Sequence, residues 1–172
     1  MIIQSASPNT TRLLGSALAQ VILQSTKDDA LVIALNGELG AGKTTFVGGL
    51  LSALGVIGPV RSPTYTLIEL YELSAIQRRI FHLDLYRLAS ASELEMLAPR
   101  DLLEPRAILL VEWAERGVGA LPVPDLAMTF CYPQLLGADA DARTIKMEAG
   151  SPAGGVLANS LHLLSNETRL SL

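Results

Sequence analysis

Residues 37–44 read GELGAGKT: a glycine, four intervening residues, then glycine, lysine and a hydroxyl side chain. This is the spacing of a phosphate clamp. Gly37 and Gly42 let the backbone curl, so that the N–H groups of Glu38, Leu39, Gly40 and Ala41 converge on one anion. A helix opening at Lys43 adds unpaired N–H groups and the positive end of its dipole. Lys43 is then placed to reach the β- and γ-phosphate oxygens, and the Thr44 hydroxyl to meet Mg²⁺. A plain glycine turn between strand and helix is the competing reading. Against it, the buried-strand run ALVIAL (30–35) precedes the motif and a helical pattern follows, the context a clamp requires. The pattern implies binding of a nucleoside triphosphate with Mg²⁺. No Asn-Lys-x-Asp sequence, the usual guanine reader, occurs, which favours ATP over GTP.

A clamp of this kind needs an acidic residue at the end of a neighbouring strand to complete the metal site. Two candidates exist. Glu112 ends the continuous apolar run AILLV (107–111), the pattern of a buried central strand. Asp84 lies within FHLDLYR (81–87), where polar and apolar residues alternate and His82, Asp84 and Tyr86 would share one face. By pattern Glu112 is the better metal ligand, and Asp84 is left to orient or activate the attacking water. The plain alternatives are a strand-end carboxylate in water for Glu112 and an exposed strand face for Asp84. RSPTYT (61–66) offers Ser62 and Thr64 around Pro63, placed to sense the γ-phosphate and metal as a switch loop does. An ordinary Ser-Pro turn opening a strand has the same pattern. His82 reads as a packed or surface histidine, Cys131 as core, and Tyr65, Tyr71 and Tyr86 as half-buried strand residues.

Periodicity supplies the elements that hold these groups. A short strand IIQSA comes first, and Asn9 or Thr10 is a candidate cap for a helix in TRLLGSALAQVIL. A second helix is predicted over 43–54, ended by Gly55, with Gly48 and Gly49 pointing to a close backbone approach. TYTLIELYEL (64–73) and RRIFHLDLYRL (78–88) alternate and read as an antiparallel pair with one exposed face. SASELEML is predicted as a short helix capped by Ser90 or Ser92, Pro99 as the start of a turn, and LAMTFCY and RTIKMEA as further strands. The expected fold is a three-layer P-loop α/β sandwich, its central parallel sheet flanked by antiparallel strands and covered by helices on both faces. Residues 1–150 form the P-loop domain in this reading. The loop SPAGG opens a C-terminal extension, 151–172, that is either a helix or a frayed tail.

Composition narrows the function classes. The chain has 172 residues, enough for a full core, and a single cysteine, so no internal disulfide can form. Thirteen basic and seventeen acidic residues give a net charge of −4, which disfavours broad, nonspecific nucleic-acid binding but leaves room for a local basic patch; no direct DNA contact and only an indirect RNA contact are expected. The N-terminus lacks the basic start and long apolar run of a signal peptide, and no stretch approaches the ~18 apolar residues of a membrane span. A cytoplasmic protein without membrane attachment is expected.

GELGAGKTT, SPTYTL, FHLDLYRL and LLVEWAERG followed by LP occur in that order. Over residues 5–150 the chain resembles the TsaE (YjeE) family of small bacterial ATPases. The resemblance implies a P-loop ATPase needed for threonylcarbamoyl-adenosine beside the anticodon of tRNAs. It implies TsaB and TsaD as partners, with ATP hydrolysis resetting their complex between turnovers. By position, Lys43, Thr44 and Thr45 match the clamp, Ser62 and Thr64 the switch-like loop, Asp84 the acid for hydrolysis, Glu112 the magnesium ligand and Trp113 the adjoining tryptophan. Lys43, Thr64 and Asp84 are then the catalytic set. Thr11 and Gly15, in T-R-L-L-G, look similar to a family stretch near the nucleotide, whereas nothing after residue 150 has a counterpart.

Two rival functions fit parts of the pattern. A small-metabolite kinase would use Arg78, Arg79 or Arg100 as lid residues, but no segment with paired arginines reads as a lid. A nucleotide-sensing assembly subunit would need binding and not hydrolysis. No motif places an arginine finger, so slow turnover alone and faster turnover with partners is expected.

Overall fold

Apolar runs buried on both faces dictate a covered sheet, and a computed structural model of the protein, describing residues 1–25, 28–133 and 139–169, has one. In chain order the elements are β1 (Ile2–Ser5), α1 (Pro8–Gln24), β2 (Leu31–Gly37), α2 (Lys43–Ala53), β3 (Ile68–Leu73), β4 (Arg78–Asp84), α3 (Ala91–Met96), β5 (Ile108–Glu112), β6 (Leu126–Cys131), β7 (Arg143–Ala149) and α4 (Pro152–Arg169). The strands lie in the order β1-β7-β6-β2-β5-β4-β3. The inner four, β6, β2, β5 and β4, are parallel. Antiparallel pairs β1–β7, β7–β6 and β3–β4 complete the two sides.

Side-chain alternation divides the interior. Ile33, Leu35, Ile80, Ile108 and Leu110 face α1, α2 and α4 in one core. Val32, Phe81, Leu83, Leu109 and Val111 face a second core closed by Leu85, Leu88, Leu94, Ala114 and Ala120. The layers are therefore unequal, with long helices on the first face and short α3 and loops on the second.

β4 departs from the expected half-exposed hairpin strand. It lies between β5 and β3, all its residues but one are buried, and it ends at Asp84. Of the two strands of this pair, β3 alone keeps an exposed face, and it begins at Ile68, because Thr64–Leu67 form a turn closed by Leu67 N–H donating to the Pro63 carbonyl at 2.8 Å. Leu67 takes a left-handed φ of 65° there. Tyr65 is consequently 83% exposed and not a half-buried strand residue.

The first helix starts earlier than its candidate caps. Ser7 is the cap, accepting from Thr10 N–H at 3.1 Å, and Pro8 follows it at the first helical position, where a missing N–H costs nothing. From there Thr11, Leu14, Gly15, Leu18, Ala19 and Ile22 form the buried stripe. Gly154 and Gly155 lie inside α4 and not in a loop, and Ser151 accepts from Gly154 N–H at 3.1 Å. Leu157, Ala158 and Leu161 of α4 join the core that contains β2, while residues 170–172 of the expected extension lie outside the described residues. Cys131 is half-buried at the end of β6, not core.

α1 and α2 cross where both lack side chains. A Cβ on Gly49 would sit 1.9 Å from the Arg12 carbonyl oxygen, and one on Gly15 would sit 2.1 Å from that of Phe46. Gly49→Ala would force the helices apart, and we expect a loss of about 3 kcal/mol by overpacking. For a chain of this size that lowers Tm by about 9 °C in a calorimetric scan. A loss under about 0.5 kcal/mol, the range of an inconsequential surface change, would refute this close crossing.

Candidate active site

The loop with the clamp spacing lies where β2 hands over to α2. Gly37 has φ 128° and Gly42 φ 103°, values side chains rarely adopt, and a Cβ on Gly37 would strike the Phe130 carbonyl oxygen at 2.3 Å. The loop curls around Lys43, whose Nζ donates to the carbonyls of Gly37 at 2.5 Å and Glu38 at 2.8 Å. The same ammonium lies 4.0 Å from the centre of the Trp113 ring. Burial lowers the Lys43 pKa from its ordinary value, and the negative charges of Glu112, Glu115 and Asp84 partly oppose that shift.

Both acids end neighbouring parallel strands and are cross-strand partners, Asp84 opposite Glu112. They point to the α2 face, 3% and 2% exposed. Thr44 Oγ1 donates to Glu112 Oε2 at 2.8 Å, which ties the first turn of α2 to the end of β5. Asp84 Oδ2 accepts from Thr64 at 2.7 Å and from Ser62, while Oδ1 accepts from Tyr86 N–H at 2.9 Å in an Asx turn. Ser62 also lies 3.4 Å from Glu112 Oε1, so its hydroxyl stands between the two carboxylates.

These groups share one cavity of about 270 Å³. Leu39, Gly40, Ala41, Gly42, Lys43, Thr44 and Thr45 line one side, and Ser62, Thr64, Asp84, Tyr86, Glu112 and Trp113 the other. Gly37 and Glu38 sit behind, as acceptors for Lys43. Thr11 does not line the cavity: it is buried, bonded to Ser5 at 2.8 Å, and its methyl lies behind Gly42. Gly15 lies at the helix crossing.

Three residues near the site are assigned no role by the motifs. Arg116, in a short 3-10 turn (Ala114–Gly117), stacks 5.4 Å from the Tyr86 ring and 5.6 Å from the Trp113 ring, beside the cavity. Its sequence signal is its place in LLVEWAERG, three residues after Trp113. Tyr132 donates to the Leu39 carbonyl at 2.9 Å, and Arg143, over the Tyr132 ring at 4.3 Å, donates to that of Gly40 at 3.3 Å, so the two brace the loop from outside. Arg78 and Arg79, the candidate lid residues, start β4 at the end opposite Asp84, where Arg79 pairs with Glu72 and Glu104. Arg100 lines a separate cavity with Glu95 and Asp101.

Among the described residues no helix is long and apolar enough to cross a membrane. A family model described as "Threonylcarbamoyl adenosine biosynthesis protein TsaE" matches residues 5–137. A relative from Haemophilus influenzae, named tRNA threonylcarbamoyladenosine biosynthesis protein TsaE, is 41% identical over 140 residues, 81% of this chain and 84% of its own. One of the same name from Aquifex aeolicus is 45% identical over 101 residues, 58% of this chain and 68% of its own. The crystal structure of YdiB from Bacillus subtilis is similar with TM-score 0.68 and 25% identity, covering 94% of this chain and 93% of that one. A clamp seated on a parallel sheet, two acids at adjoining strand ends and these likenesses agree, and the chain belongs to the TsaE family.

Proposed function

We propose that the protein is a P-loop ATPase serving threonylcarbamoyladenosine formation in tRNA, where binding and hydrolysis of Mg-ATP reset a complex of TsaB and TsaD. The observation that carries the ATPase reading is the convergence of Lys43, Thr44, Asp84 and Glu112 on one cavity at the opening of α2. The tRNA pathway comes from the family and its relatives' names.

Each residue has a step. Lys43 exchanges the carbonyls of Gly37 and Glu38 for β- and γ-phosphate oxygens, and the loop amides and the start of α2 hold the rest of the charge. Thr44 and Glu112 offer a hydroxyl and a carboxylate within 2.8 Å of each other, an oxygen donor set that fits a hard cation, and they would hold Mg²⁺. Bound there, the ion would neutralise charge on the phosphate oxygens. Asp84, its direction fixed by Ser62, Thr64 and Tyr86 N–H, orients the attacking water. Trp113 and Tyr86, with ring centroids 5.0 Å apart, keep bulk water from the Lys43 side.

The test is reconstitution. ATP hydrolysis is measured for the protein alone and with TsaB and TsaD, and tRNA modification is followed over many turnovers with the protein present or omitted. Slow hydrolysis alone, acceleration by the partners and modification that stalls without the protein are expected. Equal rates with and without partners, or undiminished modification in its absence, would overturn the proposal.

A further inference from the structure

We infer that His82 is a positioning residue for Glu112, holding one carboxylate oxygen so that the other meets Thr44 and the cation; this rests on the assignment of Glu112 to the metal. His82 is fully buried. In the parallel register it pairs with Leu110, two residues before the Asp84–Glu112 pair and on the same face, so its ring reaches along the strands toward the carboxylate. Nε2 lies 2.9 Å from Glu112 Oε1. A carboxylate only accepts, so Nε2 carries the proton of this bond. Thr44 takes Oε2 at 2.8 Å, and the two donors together fix the plane of the group.

Among the described residues the bond to Glu112 is the one polar contact the ring makes. Nδ1 is buried and has no hydrogen-bond partner among the described residues. A ring kept only for packing would serve better without a second buried polar atom, and unpaired groups of this kind call for a functional account. Ser62, at 3.4 Å from Oε1, is too distant to replace the histidine. Ligands of metals are commonly oriented by such outer hydrogen bonds, whose removal weakens metal binding by about ten- to a hundredfold.

Three variants separate donor from shape. His82→Gln keeps an amide N–H three bonds from Cβ, where Nε2–H sits. His82→Asn places its amide near Nδ1, out of reach of Glu112, and His82→Phe keeps a ring without a donor. Mn²⁺ binding to the full-length protein at saturating ADP is titrated by electron paramagnetic resonance, with thermal unfolding and the Mg²⁺ dependence of ATP hydrolysis alongside. Mn²⁺ affinity is expected to fall about tenfold in His82→Phe and His82→Asn and to stay within about threefold of wild type in His82→Gln. If His82→Phe does not fold, the Gln and Asn pair decides. Wild-type Mn²⁺ affinity in Phe or Asn, or an equal loss in Gln, would overturn the inference. Glu112→Ala, titrated in parallel, isolates the underlying assignment: loss there with wild-type affinity in His82→Phe removes the role of His82 alone, and wild-type affinity in Glu112→Ala removes the metal assignment itself.

Discussion

Lys43→Ala is expected to weaken ATP binding by about a hundredfold or more, because each charge-assisted bond to phosphate contributes about 1.5–3 kcal/mol and nothing else in the loop carries positive charge. Equilibrium dialysis or calorimetry gives the number, and unchanged affinity would refute the clamp. The wild-type protein should show the same dependence through pH. Burial lowers the Lys43 pKa, so ATP affinity should begin to fall on the alkaline side before the ordinary lysine value of 10.5 is reached. The ligand-free fold should respond in the opposite sense. Between the lowered folded pKa and the ordinary unfolded one, the unfolded chain binds more protons at this site, so its contribution to stability rises with pH. Lys43→Ala should lose both trends.

Glu112→Ala is expected to reduce Mg-dependent hydrolysis by about a thousandfold, since it removes the carboxylate that would anchor a cation contributing several kcal/mol to the transition state. It also strips the acceptor from Thr44 and from His82, and a loss of about 2 kcal/mol in unfolding free energy should accompany it. A chelator separates the effects. Removing Mg²⁺ should abolish hydrolysis by the wild type and change the residual rate of Glu112→Ala little; an undiminished Mg²⁺ response in the variant would refute the assignment. Persistence of tRNA modification in a variant that binds ATP without hydrolysing it would favour a nucleotide-sensing subunit over a hydrolytic engine.

The clamp was legible because its residues are contiguous and their spacing is itself the geometry. The strands were legible where both faces are apolar, as in Ile108–Val111. FHLDLYR shows the limit of alternation as a guide. His82 and Asp84 interrupt the apolar pattern as solvent-facing residues would, yet they are buried, because β4 aims them at Glu112, Ser62 and Thr64. A polar face turned into a site and one turned to water are the same pattern in a single strand; only its place between β5 and β3 tells them apart. TYTL misleads similarly, since the left-handed Leu67 breaks the strand and nothing in its side chain announces that. Tyr132 and Arg143 were invisible as site residues because their relation to the loop exists only across the fold, and Arg116, though within LLVEWAERG, had no role assigned by that pattern.

The chain has one tryptophan, and it lies over the Lys43 ammonium and beside Tyr86. An indole's emission responds to a cation held against its ring, so the residue that lines the candidate site is also an optical gauge of it. If Lys43 leaves its carbonyls for phosphate oxygens as proposed, the charge over the ring would move. Titrating the unlabelled protein with nucleotide while recording tryptophan emission therefore follows that lysine, with no other tryptophan in the background.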